Sequence, residues 1–132
     1  MTQTNTVTQH KTLHFTASTG LPGAPTLQMT LIYDPEKRTL GGTGVITQAV
    51  APPGGRIDVQ GIHGEVTDLK AGFRLLTVRG SCTEPPAMVI FDFSAAFVID
   101  RKNWNGEGIF NYGPKTVGPV PVEGAALVPA QG

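Results

Sequence analysis

His63 and Glu65 stand two residues apart in the run Gly61-Ile62-His63-Gly64-Glu65-Val66. Alternate side chains of a strand share a face, which sets the two Cβ atoms roughly 6–7 Å apart. An imidazole and a carboxylate so placed can share a metal ion or act as an acid–base pair, with Arg74 as a further polar member of such a cleft. The same two residues suit the solvated face of an outer strand, the favoured reading because no third ligand is visible. His10 and His14 are four apart. They would chelate one ion on a helix but lie roughly 13 Å apart on a strand. Cys82 is the only cysteine, so no intrachain disulfide exists, and no neighbouring residue marks it as an activated nucleophile. Gly41-Gly42-Thr43-Gly44 has the glycines of a phosphate loop. It runs into Val45-Ile46-Thr47, a strand-like segment, where a phosphate loop must open a helix. For binding, the leading candidates are Trp104, Phe110 and Tyr112 around Asn103-Trp104-Asn105-Gly106. Aromatic residues at a barrel mouth can face an apolar ligand. In a hairpin they can also form a core or cross-strand cluster.

Ten Lys and Arg balance ten Asp and Glu. A nucleic-acid partner calls for a basic surplus that neutralises phosphates, and no basic run suggests a membrane-surface patch. The polar N-terminus Met-Thr-Gln-Thr-Asn-Thr-Val-Thr-Gln-His has neither the basic nor the apolar region of a signal peptide. No apolar run approaches the roughly 18 residues of a spanning helix. A lone thiol suits a reducing compartment. The expectation is a cytoplasmic protein without cofactor or metal and without a nucleic-acid or membrane partner.

Seventeen glycines and eleven prolines in 132 residues disfavour long helices and suit many tight turns. The longest apolar run is Ala87 to Asp100. Its odd positions Val89, Phe91, Phe93, Ala95, Phe97 and Ile99 form an unbroken apolar face at period two, the mark of a strand with one dry side. The competing reading is a helix from Phe93, capped by Asp92; Val, Ile and Phe fit strands better. Thr26 to Asp34 alternates Leu27, Met29, Leu31 and Tyr33 against Thr26, Gln28, Thr30 and Ile32, then turns at Asp34-Pro35. Further strands are expected at Thr12–Ala17, Thr39–Val50, Arg56–Val66, Phe73–Gly80 and Gly108–Tyr112. Between Val59 and Ile62 the apolar parity flips, so a bulge at Gly61 is needed to keep one buried face. Ser81 to Pro86 reads as unpaired, Thr116 to Val122 as a short edge strand. The sum is one all-β domain over 10–123, an antiparallel barrel or sandwich of seven to eight strands with little helix. Residues 1–9 read as a frayed end and 124–132 as a flexible tail.

The hairpin Leu27-x-Met29-x-Leu31-x-Tyr33-Asp34 through Leu40-Gly41-Gly42-x-Gly44, with Trp104-Asn105-Gly106-x-Gly108-x-Phe110-x-Tyr112, resembles small bacterial proteins grouped as a domain of unknown function. The resemblance covers most of residues 10–122, implies a bacterial source and a β-fold, and brings no catalytic residues. The glycine-punctuated strands also resemble lipocalin- and avidin-type barrels, without the site signatures of either. Function therefore stays unassigned. The leading expectation is a non-enzymatic β-scaffold that binds a small apolar ligand or a protein partner through Trp104, Phe110, Tyr112, His63 and Glu65. The alternatives are an enzyme using a His63/Glu65 cleft and a structural protein that self-associates as a homo-oligomer.

Overall fold

Alternation decides which side chains go inside. On β2 (Thr26–Asp34), Leu27, Met29, Leu31 and Tyr33 are buried and Gln28, Thr30 and Ile32 exposed. On β6 (Val89–Asp100), the inward set is Phe93, Ala95, Phe97 and Ile99, with Phe91 packed against it. The computed structural model describes residues 10–49, 55–84 and 89–127. The other strands are β1 (Lys11–Ala17), β3 (Thr39–Thr47), β4 (Arg56–Asp68), β5 (Phe73–Glu84), β7 (Gly106–Tyr112) and β8 (Lys115–Leu127). A 3-10 turn at Lys70–Gly72 joins β4 to β5, and no α-helix occurs among the described residues.

Each strand pairs antiparallel with the next, and β8 returns to β1 from Thr12↔Leu127 to Ala17↔Val122. The result is a closed eight-stranded up-and-down barrel. Of the two architectures the sequence leaves open, the barrel is the one adopted. An eight-stranded barrel is just wide enough for side chains to fill. Here Phe15, Phe93, Phe97 and Phe110 are all at most 2% exposed, and Phe15 meets Phe97 across the interior edge to face, centroids 6.1 Å apart. Each such ring is worth roughly 1.5–3 kcal/mol of burial. The surface ion pair Arg56–Asp58, at 3.3 Å between partly exposed groups, belongs to a class worth about 0–1 kcal/mol. The packed interior, not charge pairing, holds the barrel.

The bulge expected at Gly61 is present: the β4–β5 register shifts between Gln60 and His63, and Gly61 sits at φ 62°. It returns Ile62 and Val66 to the inner face that Ile57 and Val59 occupy. Two expectations are corrected. Ser81–Glu84 pair fully with Val89–Asp92, so β5 runs on past Gly80. The segment expected to be a short edge strand, Thr116–Val122, pairs with β7, and the strand runs on to Leu127 within the stretch expected to be loose, where Val122–Leu127 pair with β1 and close the barrel. Residues 1–9, 50–54, 85–88 and 128–132, with the expected frayed end and the end of the tail, lie outside the described residues.

Trp104 seals one end of the barrel. It has φ 64° and is 6% exposed, with its ring edge-on to Phe15 at 6.2 Å and Tyr33 at 5.8 Å. The Arg74 guanidinium lies over it, 4.8 Å from the centroid. Asp68 accepts from Arg38 at 2.8 Å and lies 3.5 Å from Arg74 Nε; the hydrogen bond from Arg38 holds its carboxyl below the usual aspartate range. Asn105 Oδ1 takes the Gly124 N–H at 2.9 Å, tying the turn to β8. A methyl group on Gly124 would strike the Trp104 carbonyl oxygen and lie 2.7 Å from the Phe15 ring. Gly124→Ala should therefore cost about 1–3 kcal/mol, the range for overpacking. It should also shift the emission of the single tryptophan to longer wavelength as the plug is displaced. Equilibrium denaturation followed by Trp104 fluorescence measures both.

Candidate functional site

At the other end of the barrel the described residues form a concavity. There the β7–β8 hairpin turns through Gly113-Pro114, and Tyr112 faces Lys115 across it. The neighbouring strands bring Ile57 from β4, Glu84 from β5, and Val89 and Phe91 from β6, while Gln48 follows β3. Together they line a cup of about 460 Å³. Its wall is largely apolar, and its polar members are Gln48, Glu84, Lys115 and the Tyr112 hydroxyl. The Tyr112 hydroxyl donates to Gln48 Oε1 at 2.8 Å. Its ring stacks on Phe110 at 6.0 Å, and Lys115 Nζ lies 5.7 Å from its centroid.

Cys82 is paired with Phe91 on the adjacent strand and is fully buried. Burial pushes its thiol from 9.0 up to about 11. The Tyr112 phenol is also raised, first by burial and then by the nearby Cys82 and Glu84. Both groups that could become nucleophiles near the cup are held in their protonated, neutral forms. What the cup offers a ligand is apolar surface, one oriented hydroxyl–amide pair, and a cation and a carboxylate at its rim.

The five candidate residues do not form one site. Tyr112 is part of the cup. Phe110 is fully buried in the core beneath it. Trp104 is the plug of the opposite end. His63 and Glu65 are exposed on the outer wall of β4, where they edge a groove of about 500 Å³. Its other polar side chains are Thr77, Arg79, Ser94 and Asn111, supplied by β5, β6 and β7. Arg79, not Arg74, is the arginine of this group: Arg79 is paired with His63 across the strands, while Arg74 has the opposite parity and lies against Trp104. The row continues through Ser94, Asn111 and Thr116. Asn111 donates to Ser94 Oγ at 3.2 Å and accepts from Thr116 Oγ1 at 2.6 Å. His63 Nδ1 lies 3.0 Å from the Gly61 carbonyl, which can only accept, so Nδ1 carries the proton. Among the described residues, no three His, Cys, Asp or Glu side chains gather as a metal site.

Residues 12–116 match the family described as Domain of unknown function (DUF1842). The chain belongs to this family. The match runs from β1 into the first residues of β8 and so takes in both the cup and the outer groove. A search of curated proteins returns no match. Sequence reasoning missed the cup because Ile57, Glu84, Phe91 and Tyr112 lie on four different strands. Only barrel closure makes them neighbours; the one usable signal was the inward parity of Phe91 and Tyr112.

The buried thiol gives a pH signature. In the unfolded chain Cys82 loses its proton near 9, while in the fold it keeps it to about 11. Above pH 9 the unfolded state binds fewer protons, so stability falls as pH rises. The loss across that interval should be roughly 2–3 kcal/mol, with Tyr112 adding in the same direction above its ordinary value. Chemical denaturation at pH 8 and pH 11 measures it, and Cys82→Ala should flatten the slope. Ellman's reagent should leave the native thiol unmodified and titrate one thiol per chain in denaturant.

Proposed function

We propose that the protein is a non-enzymatic binding scaffold. Its open barrel mouth takes a small ligand with an apolar body, and it works in the cytoplasm, where its lone thiol stays reduced. The observation that carries this reading is the cup itself: an apolar-walled concavity bounded by Ile57, Val89, Phe91 and Tyr112 at the one end that Trp104 does not seal. Its volume of about 460 Å³ lies within the usual range for small-molecule sites, roughly 300–1,000 Å³. The neutral thiol and phenol argue for binding rather than covalent chemistry. Val89 is 55% exposed, an apolar side chain left in water at the lip, where a ligand would cover it. The Tyr112–Gln48 pair supplies one polar anchor, and Lys115 and Glu84 discriminate the charge of any head group.

The enzyme reading depends on His63 and Glu65 in the outer groove, and the same experiment separates the two. Titration with 1-anilinonaphthalene-8-sulfonate should give saturable fluorescence enhancement at one site. Phe91→Ser combined with Val89→Ser should weaken it by about tenfold, as loss of roughly 1.5 kcal/mol of apolar contact requires. His63→Ala with Glu65→Ala should leave it unchanged. Enhancement that is unsaturable, or lost with His63 and Glu65 instead, would sink the proposal.

Tyr112→Phe removes the hydroxyl that donates to Gln48 and leaves the ring stack. It should cost about 1 kcal/mol of stability, the net worth of one neutral hydrogen bond, measurable by urea denaturation.

A further inference from the structure

The cations of this chain are scattered in sequence and gathered in space. Three connections meet at the sealed end: the turn after Asp34, the 3-10 turn between β4 and β5, and the turn between β6 and β7. They and the adjoining strand ends carry Lys37, Arg38, Lys70, Arg74, Arg101 and Lys102, six of the ten Lys and Arg, and Lys11 opens β1 at the same end. The carboxylates there are Asp34, Glu36, Asp68, Asp100 and Glu107, five against seven cations. Three of them have fixed local duties: Asp34 accepts the Glu36 and Lys37 N–H groups, Asp100 accepts that of Lys102, and Asp68 pairs with Arg38 and Arg74. The formal neutrality of the chain thus divides into a basic end and an acidic remainder.

The second observation is apolar. Leu69 and Phe73, which flank the 3-10 turn, are 39% and 41% exposed. The turn is closed at its base by the Leu69 N–H bonding to the Phe73 carbonyl at 2.8 Å, and the Arg101 N–H bonds to the Gly72 carbonyl at 3.0 Å. That bond seats Arg101 and Lys102 beside Lys70. The closed, hydrogen-bonded loop therefore carries Lys70 between two exposed apolar residues, with Arg101 and Lys102 on the connection bonded to it, and Phe73 borders Val98 and Glu107 on the adjoining outer wall.

We propose that this end docks on an anionic bilayer surface, with Leu69 and Phe73 entering the acyl boundary while Lys70, Arg101 and Lys102 engage the lipid phosphates and carboxylates. Lipid interfaces reward this pairing, because apolar burial and electrostatic attraction add only where both are offered at the same depth. A soluble polyanion would use the cations and leave Leu69 and Phe73 idle. The docking end is opposite the open cup, so the inference goes beyond the ligand reading and can fail without it.

Flotation of the full chain with phosphatidylcholine vesicles, with and without phosphatidylserine, tests it. Binding should require phosphatidylserine and weaken as salt rises. Lys70→Glu with Lys102→Glu should reduce it at least about tenfold, since each cation near the surface contributes measurably. Leu69→Ser with Phe73→Ser should reduce it several-fold at constant charge. Arg56→Glu, at the far end, should change it little. All these side chains are exposed, and unchanged Trp104 emission certifies the fold; should a double variant unfold, the single substitutions Lys102→Glu and Leu69→Ser carry the same comparison. The proposal is overturned if phosphatidylserine vesicles capture no protein, if phosphatidylcholine alone captures as much, or if Arg56→Glu matters as much as the tip. It is equally overturned if the Leu69/Phe73 variant binds undiminished, which would make the end a general polyanion site, as retention of duplex DNA by that variant would show.

Discussion

Closure of the sheet is the constraint from which the rest of this molecule follows. Once β8 pairs with β1, every described strand has a partner strand on each side and the sheet has no terminal strand to template association. Closure also fixes the interior width, so the inward positions must be filled to native density by what the chain carries there. Seven aromatic rings share that filling with the aliphatic side chains, and the inward position on β8 beside Trp104 and Phe15 must be glycine. Gly124 is therefore set by the space that Trp104 and Phe15 take. The bulge at Gly61 answers the same demand on β4: without it, Ile62 and Val66 would face water and the wall would lack two of its apolar contributors.

Much of this was legible because a strand's period is a local property. The apolar parity of β2 and of the Phe91–Ile99 run needs only neighbours in sequence, and the parity flip in β4 located its bulge. What escaped reading depends on partners far along the chain. Thr116 to Val122 contains Gly118, Pro119 and Pro121, a composition typical of edges, and up to Pro121 it is in register with β7 alone; what escaped reading is that the same strand runs on to Leu127, where β1 is its partner. Ser81 to Glu84 read in sequence as unpaired because of the prolines that follow them, but a proline constrains only its own residue and the one before it. Trp104, an aromatic beside an Asn-Gly turn, reads in sequence as either a ligand contact or part of a core cluster, and the fold makes it part of the core. The connection is longer than a two-residue hairpin, Gly106 is already strand, and Trp104 in the left-handed region folds back over the barrel end.

The candidate site was less legible than the fold, for a related reason. A pocket on one strand leaves a spacing, whereas a pocket at the mouth of a barrel draws one residue from each wall. Of the five residues singled out from sequence, the two with a chemical spacing, His63 and Glu65, share an outer groove as that spacing requires. The three chosen for aromaticity went to three different places: the plug, the core and the cup. Aromaticity specifies burial but not which burial. Parity and distance from the strand end decide it: Tyr112 is the last residue of β7, Phe110 lies one pleat further in, and Trp104 precedes the strand altogether.

The two ends of the barrel then differ in chemistry because they differ in how they are stopped. At the Trp104 end the rings need an electropositive lid, and Arg74 provides it by stacking on Trp104 and Tyr33. A guanidinium brought that far inward requires a carboxylate, which Asp68 supplies from the end of β4. Asp68 in turn takes its best hydrogen bond from Arg38, on a turn that would otherwise have no tie to β4 side chains. Sealing the end thus gathers charged residues from separate connections around one plug. At the opposite end the described wall ends in Phe91, Val89 and Ile57, and the Cys82 thiol and the Tyr112 phenol beneath it are kept neutral by the burial that closure imposes. Charge at one pole and apolar surface at the other are two outcomes of how a single closed sheet terminates.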